Sequence, residues 1–267
     1  MGTPSTSVIR HGKFWVYELA QSHGFDVPEQ FGRWDGPAEI RWDELPDLVV
    51  IKSAFSSTSR GVFPIRRTDA GWQVITRDTI LTDDQLTATL EDLVETGRAR
   101  GPFAAEEFLD QDGTGEGMPT DVRALCFYGE VGVVALRRCD QHASKTNRFR
   151  FLDQHGADLL DTHPSLRVDQ TIPVPPTLHD LVDAASRLSM AIRAPFSRID
   201  MYQIGDRVVF GEVTPRPGGP QWFGPELDAT LGEAWERALA RLARDIAQGM
   251  GAEPEFGPVN AVRRSRG

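Results

Sequence analysis

Helical and strand periodicities alternate along this chain. Trp15, Leu19 and Ala20 recur with helical spacing in FWVYELAQSHGF, and Gly24 supplies a stop, so a helix is expected over Phe14 to Phe25. Short apolar runs bounded by turn formers then mark strands in LVVIKS (Leu48 to Ser53), VFPIRR, GWQVITR and FAAEEFLD. DVRALCFYGEVGVVALRR reads as a hairpin turned at Gly129. The helical period returns in TDDQLTATLEDLVETG, with Thr82 placed to cap its start and Gly97 its end. LHDLVDAASRLSMAI (Leu178 to Ile192) is amphipathic, and ELDATLGEAWERALARLARDIAQGM forms a long closing helix. DVPEQFGRWDGPAEIRWDELPD reads as a connection punctuated by Pro and Trp. Residues 139–176 are polar and irregular, and 251–267 carry no core-forming pattern, so that tail is expected to be disordered. Helices mixed with hairpins predict an α+β chain with antiparallel sheets rather than a doubly wound parallel one.

The last hairpin, RIDMYQIGDRVVFGEVTPRPGG, carries charge where a sheet face would normally be apolar. Side chains alternate along a strand, so Arg198, Asp200 and Tyr202 share one face, and Phe210, Glu212 and Thr214 share one face of the next strand. A two-residue loop at Gly205 and Asp206 would pair Ile204 with Arg207 and place Asp200 and Glu212 on opposite faces. A three-residue loop, Gly205 to Arg207, sets Tyr202 against Phe210, Asp200 against Glu212 and Arg198 against Thr214, and it is the expected arrangement. Carboxylates opposed at about 5 Å repel unless cations intervene. Arg198 is one such cation. Magnesium suits the rest, because it takes one or two carboxylates together with phosphate and water. The alternative is a surface network of Arg, Asp and Glu with no ligand.

At 267 residues the chain is long enough for one large domain or two small lobes with a hydrophobic core. The net charge of -10 argues against nucleic acid as a main partner. Two cysteines, Cys126 and Cys139, fit a reduced cytoplasmic setting better than a disulfide framework. No run is apolar enough to span a membrane, and the N-terminus lacks the apolar core of a signal peptide, so a cytoplasmic protein with no membrane partner is expected. The chain contains neither a G-x-G-x-x-G following a strand nor a P-loop lysine motif. IKSAFSSTSRG offers phosphate another seat: Lys52 as a point charge, then hydroxyls and backbone N–H groups ending at Gly61. Each piece also has a plainer reading. The Ser-rich segment can be a surface turn, Lys13 a solvated helix-end residue, and Glu106 with Glu107 a charged strand edge.

In order along the chain, Lys13, VIKSAFSSTSRGV, AEEFLD, DVRALCFYGEV and RIDMYQIGDRVVFGEVTPRPGG resemble the ATP-grasp ligases. The resemblance is closest to the TupA-like branch, named for teichuronopeptide biosynthesis. Its GxWDxPxEIxWDxLPD looks like GRWDGPAEIRWDELPD here, and its closing pattern looks like Asp228, Leu231, Gly232 and Trp235. The resemblance runs from about Val8 to Ala240. It implies an ATP-grasp fold: two α+β lobes with antiparallel sheets gripping ATP between them, and a reduced N-terminal domain. The expected division is 1–47 as N-terminal helix and connecting segment, 48–110 as small lobe, 111–250 as large lobe with the metal site, and 251–267 as tail.

By the same resemblance Lys13 and Lys52 match lysines on the ATP phosphates. Ser56, Ser57, Thr58, Ser59, Arg60 and Gly61 match the loop that closes over them. Glu106, Glu107, Phe108 and Leu109 match the strand bordering adenine, and Asp121 the acidic position near the ribose. Arg123 matches an arginine facing phosphate or substrate, and Arg198 the one that steadies acyl-phosphate and tetrahedral intermediate. Asp200 and Glu212 match the Mg2+ ligands. Thr214 stands where many ATP-grasp enzymes have Asn, and a hydroxyl is a weaker ligand. The implied activity is ligation of a small-molecule carboxylate to an amine, with ATP and Mg2+ as cofactors, in biosynthesis of a specialised metabolite or surface polymer. No Ser-His-Asp or Cys-His signature competes with it. For the substrate carboxylate, Arg148 and Arg216 are candidates, with Gly218 beside them, whereas Lys145 and Arg150 read as solvated loop charges. A homodimer is compatible with the sequence. Two rivals remain open: a small-molecule kinase that stops at phosphoryl transfer, and a binding protein with a degenerate ATP-grasp fold.

Overall fold

The computed structural model describes residues 6–56, 61–77, 79–115, 117–139, 147–217 and 222–258, with side chains from residue 12 onward. Among the described residues two antiparallel sheets and four α-helices make an α+β fold. The chain divides into two compact units, one built from Pro28–Met118 and the other from Met1–Val27, Pro119–Cys139 and Lys145–Gly267. Helix α1 (Thr6–Ser22) therefore belongs with the second sheet, and the segment after it with the first.

The Pro28–Met118 unit holds a six-stranded sheet in the order β1 (Gln30–Trp34), β6 (Phe103–Glu107), β2 (Leu48–Ser53), β3 (Val62–Thr68), β4 (Gly71–Val74), β5 (Thr79–Leu81). Alternation along β2 sends Val49 and Ile51 into a core with Leu86 and Leu90 of α2 (Asp83–Glu95) and sets Lys52 on the other face. Helix α2 starts as its sequence predicts, with a reciprocal capping box between Thr82 and Gln85. The stretch read as a connection is more than that. It supplies β1 and two 3-10 turns, which carry Ile40, Trp42 and Leu45 into the core. The indole N–H of Trp42 donates to Thr87 Oγ1 at 2.9 Å, and that of Trp72 to Asp83 Oδ1 at 2.8 Å, so both buried rings keep a polar partner.

The second sheet runs β11 (Arg207–Thr214), β10 (Ser197–Ile204), β7 (Asp121–Phe127), β8 (Glu130–Arg138), β9 (Arg148–Leu152). Helix α4 (Pro225–Ala247) lays Leu231, Ala234, Ala238 and Leu242 over Leu125, Val133, Ala135, Phe149 and Phe151. Helix α3 (Leu178–Ile192) packs on β7, β8 and β10, and α1 (Thr6–Ser22) on β11. No helix among the described residues is long and apolar enough to cross a membrane.

The irregular middle stretch contains β9, and the residues beyond this strand are tied to the start of α4. His163 N donates to Trp222 O at 3.0 Å, and Gly224 N to Asp161 O at 2.9 Å. Gly224 at the N-cap has no side chain to offer, and Asp161 Oδ2 instead accepts from Leu227 N at 2.7 Å. A carboxylate there also meets the positive end of the helix. Asp161→Ala is expected to lower unfolding free energy by about 1 kcal/mol, read by urea denaturation.

The tail expectation is corrected in part. Arg193, in the left-handed region at φ 54°, donates to Gly251 O at 2.8 Å and Glu253 O at 3.0 Å and pairs with Glu255. Gly257 N donates to Ser22 Oγ at 2.8 Å, and Phe256 packs edge-on to Trp15. These residues are held largely through their own backbone groups, by Arg193 and Ser22, with one ring contact to Trp15, and such ties leave no periodicity to read. Residues 259–267 lie outside the described residues.

The β10–β11 hairpin differs from expectation in an instructive way. Its turn has two residues, with Ile204 opposite Arg207 and Tyr202 opposite Val209. That register alone would separate the carboxylates. A bulge between Asp200 and Met201 restores them, because Gly211 is an extra residue between Phe210, opposite Met201, and Glu212, opposite Asp200. A Cβ on Gly211 would lie 2.6 Å from the Tyr202 ring and 3.1 Å from Asp200 O, so any larger residue in the bulge would have to displace that ring. The β7–β8 hairpin repeats the device. Phe127 faces Glu130 across a two-residue turn, a bulge around Gly132 shifts the register, and Asp121 comes to face Arg137.

Candidate active site

The face that α4 covers at its apolar end is polar at the other. Counting back by twos from Leu125 and forward from Ala135 places Asp121, Arg123 and Arg137 on that face, and Asp200 is the cross-strand partner of Arg123. Arg198, Glu212 and Thr214 join them through the hairpin pairing. The guanidinium of Arg198 grips Asp200 with two bonds of 2.6 Å, donates to Thr214 Oγ1 at 3.1 Å and reaches Pro217 O at 3.3 Å. Arg123 donates to Asp121 Oδ2 through Nε and Nη2, both at 2.8 Å, and its Nε lies 3.8 Å from Asp200 Oδ2. Arg137 Nη2 reaches the same Asp121 oxygen at 2.9 Å.

The two buried acids differ. Burial, reinforced by the charge of Asp121, pushes the Asp200 carboxyl up to about 6, although Arg123 and Arg198 pull against it. Burial also opposes ionisation of Asp121, but Arg123 and Arg137 together outweigh it and hold its carboxyl below the ordinary range. Arg123 is itself raised, since Asp121 and then Asp200 outweigh its desolvation. Glu212 is half-buried, and among the described residues its carboxylate has no hydrogen-bond or ion-pair partner.

A metal would find oxygen donors here of the kind magnesium prefers. Glu212 is uncommitted to any described group, and each oxygen of Asp200 keeps a lone pair beyond its bond to Arg198. Among the described residues no three His, Cys, Asp or Glu side chains are grouped to hold a metal by themselves. Thr214 and phosphate oxygens would have to complete the shell, so the donor set fits a nucleotide-bound cation rather than a caged one.

In the Pro28–Met118 unit, Lys52 and Glu106 are diagonal neighbours on the face away from α2, and they form an ion pair with Glu106 almost wholly buried. Glu107 is tied to the neighbouring strand end, its N donating to Glu29 O at 2.8 Å and its Oε2 accepting from Glu29 N at 3.2 Å. Phe108 and Leu109 are buried. The ends of the expected phosphate loop are pinned. Ser53 N donates to Gly61 O at 2.9 Å, and Ser56 sits so close to Gly61 that a Cβ there would lie 2.8 Å from its side chain. Ser57, Thr58, Ser59 and Arg60 lie outside the described residues. Lys13 is half-buried and follows Gly12, whose φ of 77° kinks α1 at that point.

The substrate candidates do not gather at the polar face. Phe149 packs under α4, so Arg148 points from the opposite face of β9, and its Nη1 pairs with Asp169 at 2.5 Å. Alternation thus separates Arg148 from Asp200 and Glu212. Arg216 is exposed beyond β11, while Gly218 and Lys145 lie outside the described residues. Arg150 pairs with Asp158 and donates to Ile172 O, as befits a structural charge. The residue absent from the sequence-based candidates is Arg137. Only the ALRR ending of the hairpin hinted at it, and its register depends on the bulge.

A profile of the TupA-like ATP-grasp family matches residues 9–236. Among solved structures, D-alanine–D-alanine ligase from Bacillus anthracis superposes with TM-score 0.53 at 14% identity, covering 98% of this chain and 70% of that one. The same enzyme complexed with ATP gives 0.52 at 14% identity over 98% and 69%. D-alanyl-alanine synthetase A from Vibrio cholerae gives 0.52 at 12% identity over 88% and 64%. At such identities the likeness is one of fold. Comparison with curated proteins finds no match.

Proposed function

The chain belongs to the TupA-like ATP-grasp family, and from that premise we propose that it is an ATP-dependent carboxylate–amine ligase working through an acyl-phosphate. The observation that carries the proposal is the opposed pair Asp200 and Glu212, brought to one face by a glycine bulge and flanked by Arg198, Arg123 and Thr214. Asp200, Glu212 and Thr214 would hold Mg2+, which when bound neutralises charge on the triphosphate of ATP. Lys52, with Glu106 fixing its ammonium, and Lys13 would bind phosphate oxygens. Ser56 to Gly61 would cover them, and the backbone of Glu106 to Leu109 would read the base, with Asp121 toward the ribose.

The reaction we assign runs in two steps. A carboxylate oxygen of the substrate attacks the γ-phosphorus as the bond to ADP breaks, giving an acyl-phosphate. An amine then attacks the acyl carbon, phosphate leaves with the C–O electron pair, and the ammonium proton passes to solvent. Arg198, held in place by Asp200, Thr214 and Pro217, would turn its positive charge and its remaining Nη1 hydrogen toward the oxygen charge that develops in both steps. Positioning and electrostatics carry such chemistry, which fits a site rich in Arg and carboxylates.

Incubation with MgATP, a panel of amino acids and small dicarboxylic acids, and hydroxylamine tests this directly. Release of ADP that needs the acid, together with a hydroxamate detected by mass, is the expected result. ADP release with a phosphorylated product and no hydroxamate would make the protein a kinase, and absence of turnover with intact nucleotide binding would make it a binding protein.

A further inference from the structure

The polar end of the second sheet sets three guanidinium groups, Arg123, Arg137 and Arg198, around two buried carboxylates, Asp121 and Asp200. They are committed to different degrees. Arg198 spends both edges on Asp200, Thr214 Oγ1 and Pro217 O. Arg123 spends Nε and Nη2 on Asp121 and is 11% exposed. Arg137 shares that same Asp121 oxygen through Nη2 alone and is 25% exposed. Among the described residues it has no second partner, and its Nε is buried without an acceptor. One carboxylate thus faces two cations. Arg137 is the more accessible of the two, and among the described residues its Nη1 is not engaged, so that end of the guanidinium is open to a carboxylate.

Position separates Arg137 from the metal pair. It stands on β8, two strands from β10, hence about 10 Å from the strand of Asp200 at ordinary strand spacing. A triphosphate gathered at Asp200 and Glu212 leaves that end of the face for another part of the ligand set. We infer that Arg137 docks a carboxylate of the substrate and thereby determines which acids the protein accepts. This rests on the ligase reading and adds a substrate class to it: the acid carries a carboxylate for Arg137 besides the one that is phosphorylated, as dicarboxylic acids and acidic amino acids do.

The test compares wild type, Arg137→Gln and Arg137→Lys in the hydroxamate assay, using L-glutamate, L-aspartate, succinate and glutarate against monocarboxylic acetate and the neutral L-alanine, with MgADP binding by calorimetry as a second arm. Wild type is expected to favour acids of the first group. The Gln variant is expected to raise KM for them at least about tenfold, as loss of a charge-assisted bond implies, with Lys recovering part of the loss and MgADP affinity within about twofold. Equal use of acetate or alanine by wild type, or an unchanged KM in the Gln variant, overturns this inference while leaving the ligase reading standing. Loosening of MgADP by the same factor as the acid would reassign Arg137 to the nucleotide. If wild type binds MgADP yet yields no hydroxamate with any acid, the ligase reading falls and this inference with it.

Discussion

Glu212→Ala is expected to cut acid-dependent ADP release by about a hundredfold to a thousandfold, the usual cost of losing one electrostatic contact to a transition state. The fold should not notice. Glu212 is half-buried, and among the described residues its carboxylate holds no hydrogen bond or ion pair, so truncation strands no partner and opens no cavity in the apolar core. Substitutions of that kind ordinarily change stability by no more than ~0.5 kcal/mol. The dissociation is the informative part. A side chain placed opposite a buried acid, with no hydrogen bond or ion pair among the described residues, is explained by a ligand that it helps to hold. ADP release and urea denaturation on the same preparation check both halves, and turnover at the wild-type rate would remove the metal assignment from this hairpin.

The elements legible from the sequence are those with local causes. Helix α2 has its capping box, and α3 its amphipathic stripe, so Asp83–Glu95 and Leu178–Ile192 emerge from neighbouring residues alone. Strand β2 reads directly from LVVIKS. The acids on the final hairpin are visible as misplaced charge, but the turn expected from the sequence reaches their register by the wrong route. A bulge depends on whether a backbone can approach a ring and a carbonyl, and Gly211 beside Tyr202 and Asp200 O shows no sign of that in one dimension. Arg137 is hidden for the same reason, since its pairing with Asp121 depends on the bulge around Gly132. Strand β9 and residues 153–177 are held by distant partners such as Trp222 and Gly224, and the segment to Gly257 by Arg193 and Ser22. Non-local hydrogen bonds of that sort impose no period on the residues that make them.

Asp200→Ala should behave quite unlike its neighbour across the hairpin. Asp200 is 4% exposed, and both of its oxygens accept bonds from Arg198, with Arg123 close by. Removing it takes both carboxylate bonds from the buried Arg198 guanidinium, which among the described residues keeps hydrogen bonds to Thr214 Oγ1 and Pro217 O. Loss of one member of a buried ion pair costs ~3–5 kcal/mol, because the remaining charge has neither water nor counter-ion. A drop of that size should appear as a shifted urea midpoint with an unchanged slope, alongside lost turnover. The double variant Asp200→Leu with Arg198→Leu separates the two consequences. It removes both charges and fills the space with apolar atoms, an exchange that is often neutral or stabilising. Stability is therefore expected to return toward wild type while ADP release stays absent, since the proposed metal shell would lack Asp200 and the reacting oxygens would lack Arg198. If Asp200→Ala proves as stable as wild type, the tight Arg198–Asp200 fork does not exist in solution; if the double variant recovers turnover, the chemistry resides elsewhere.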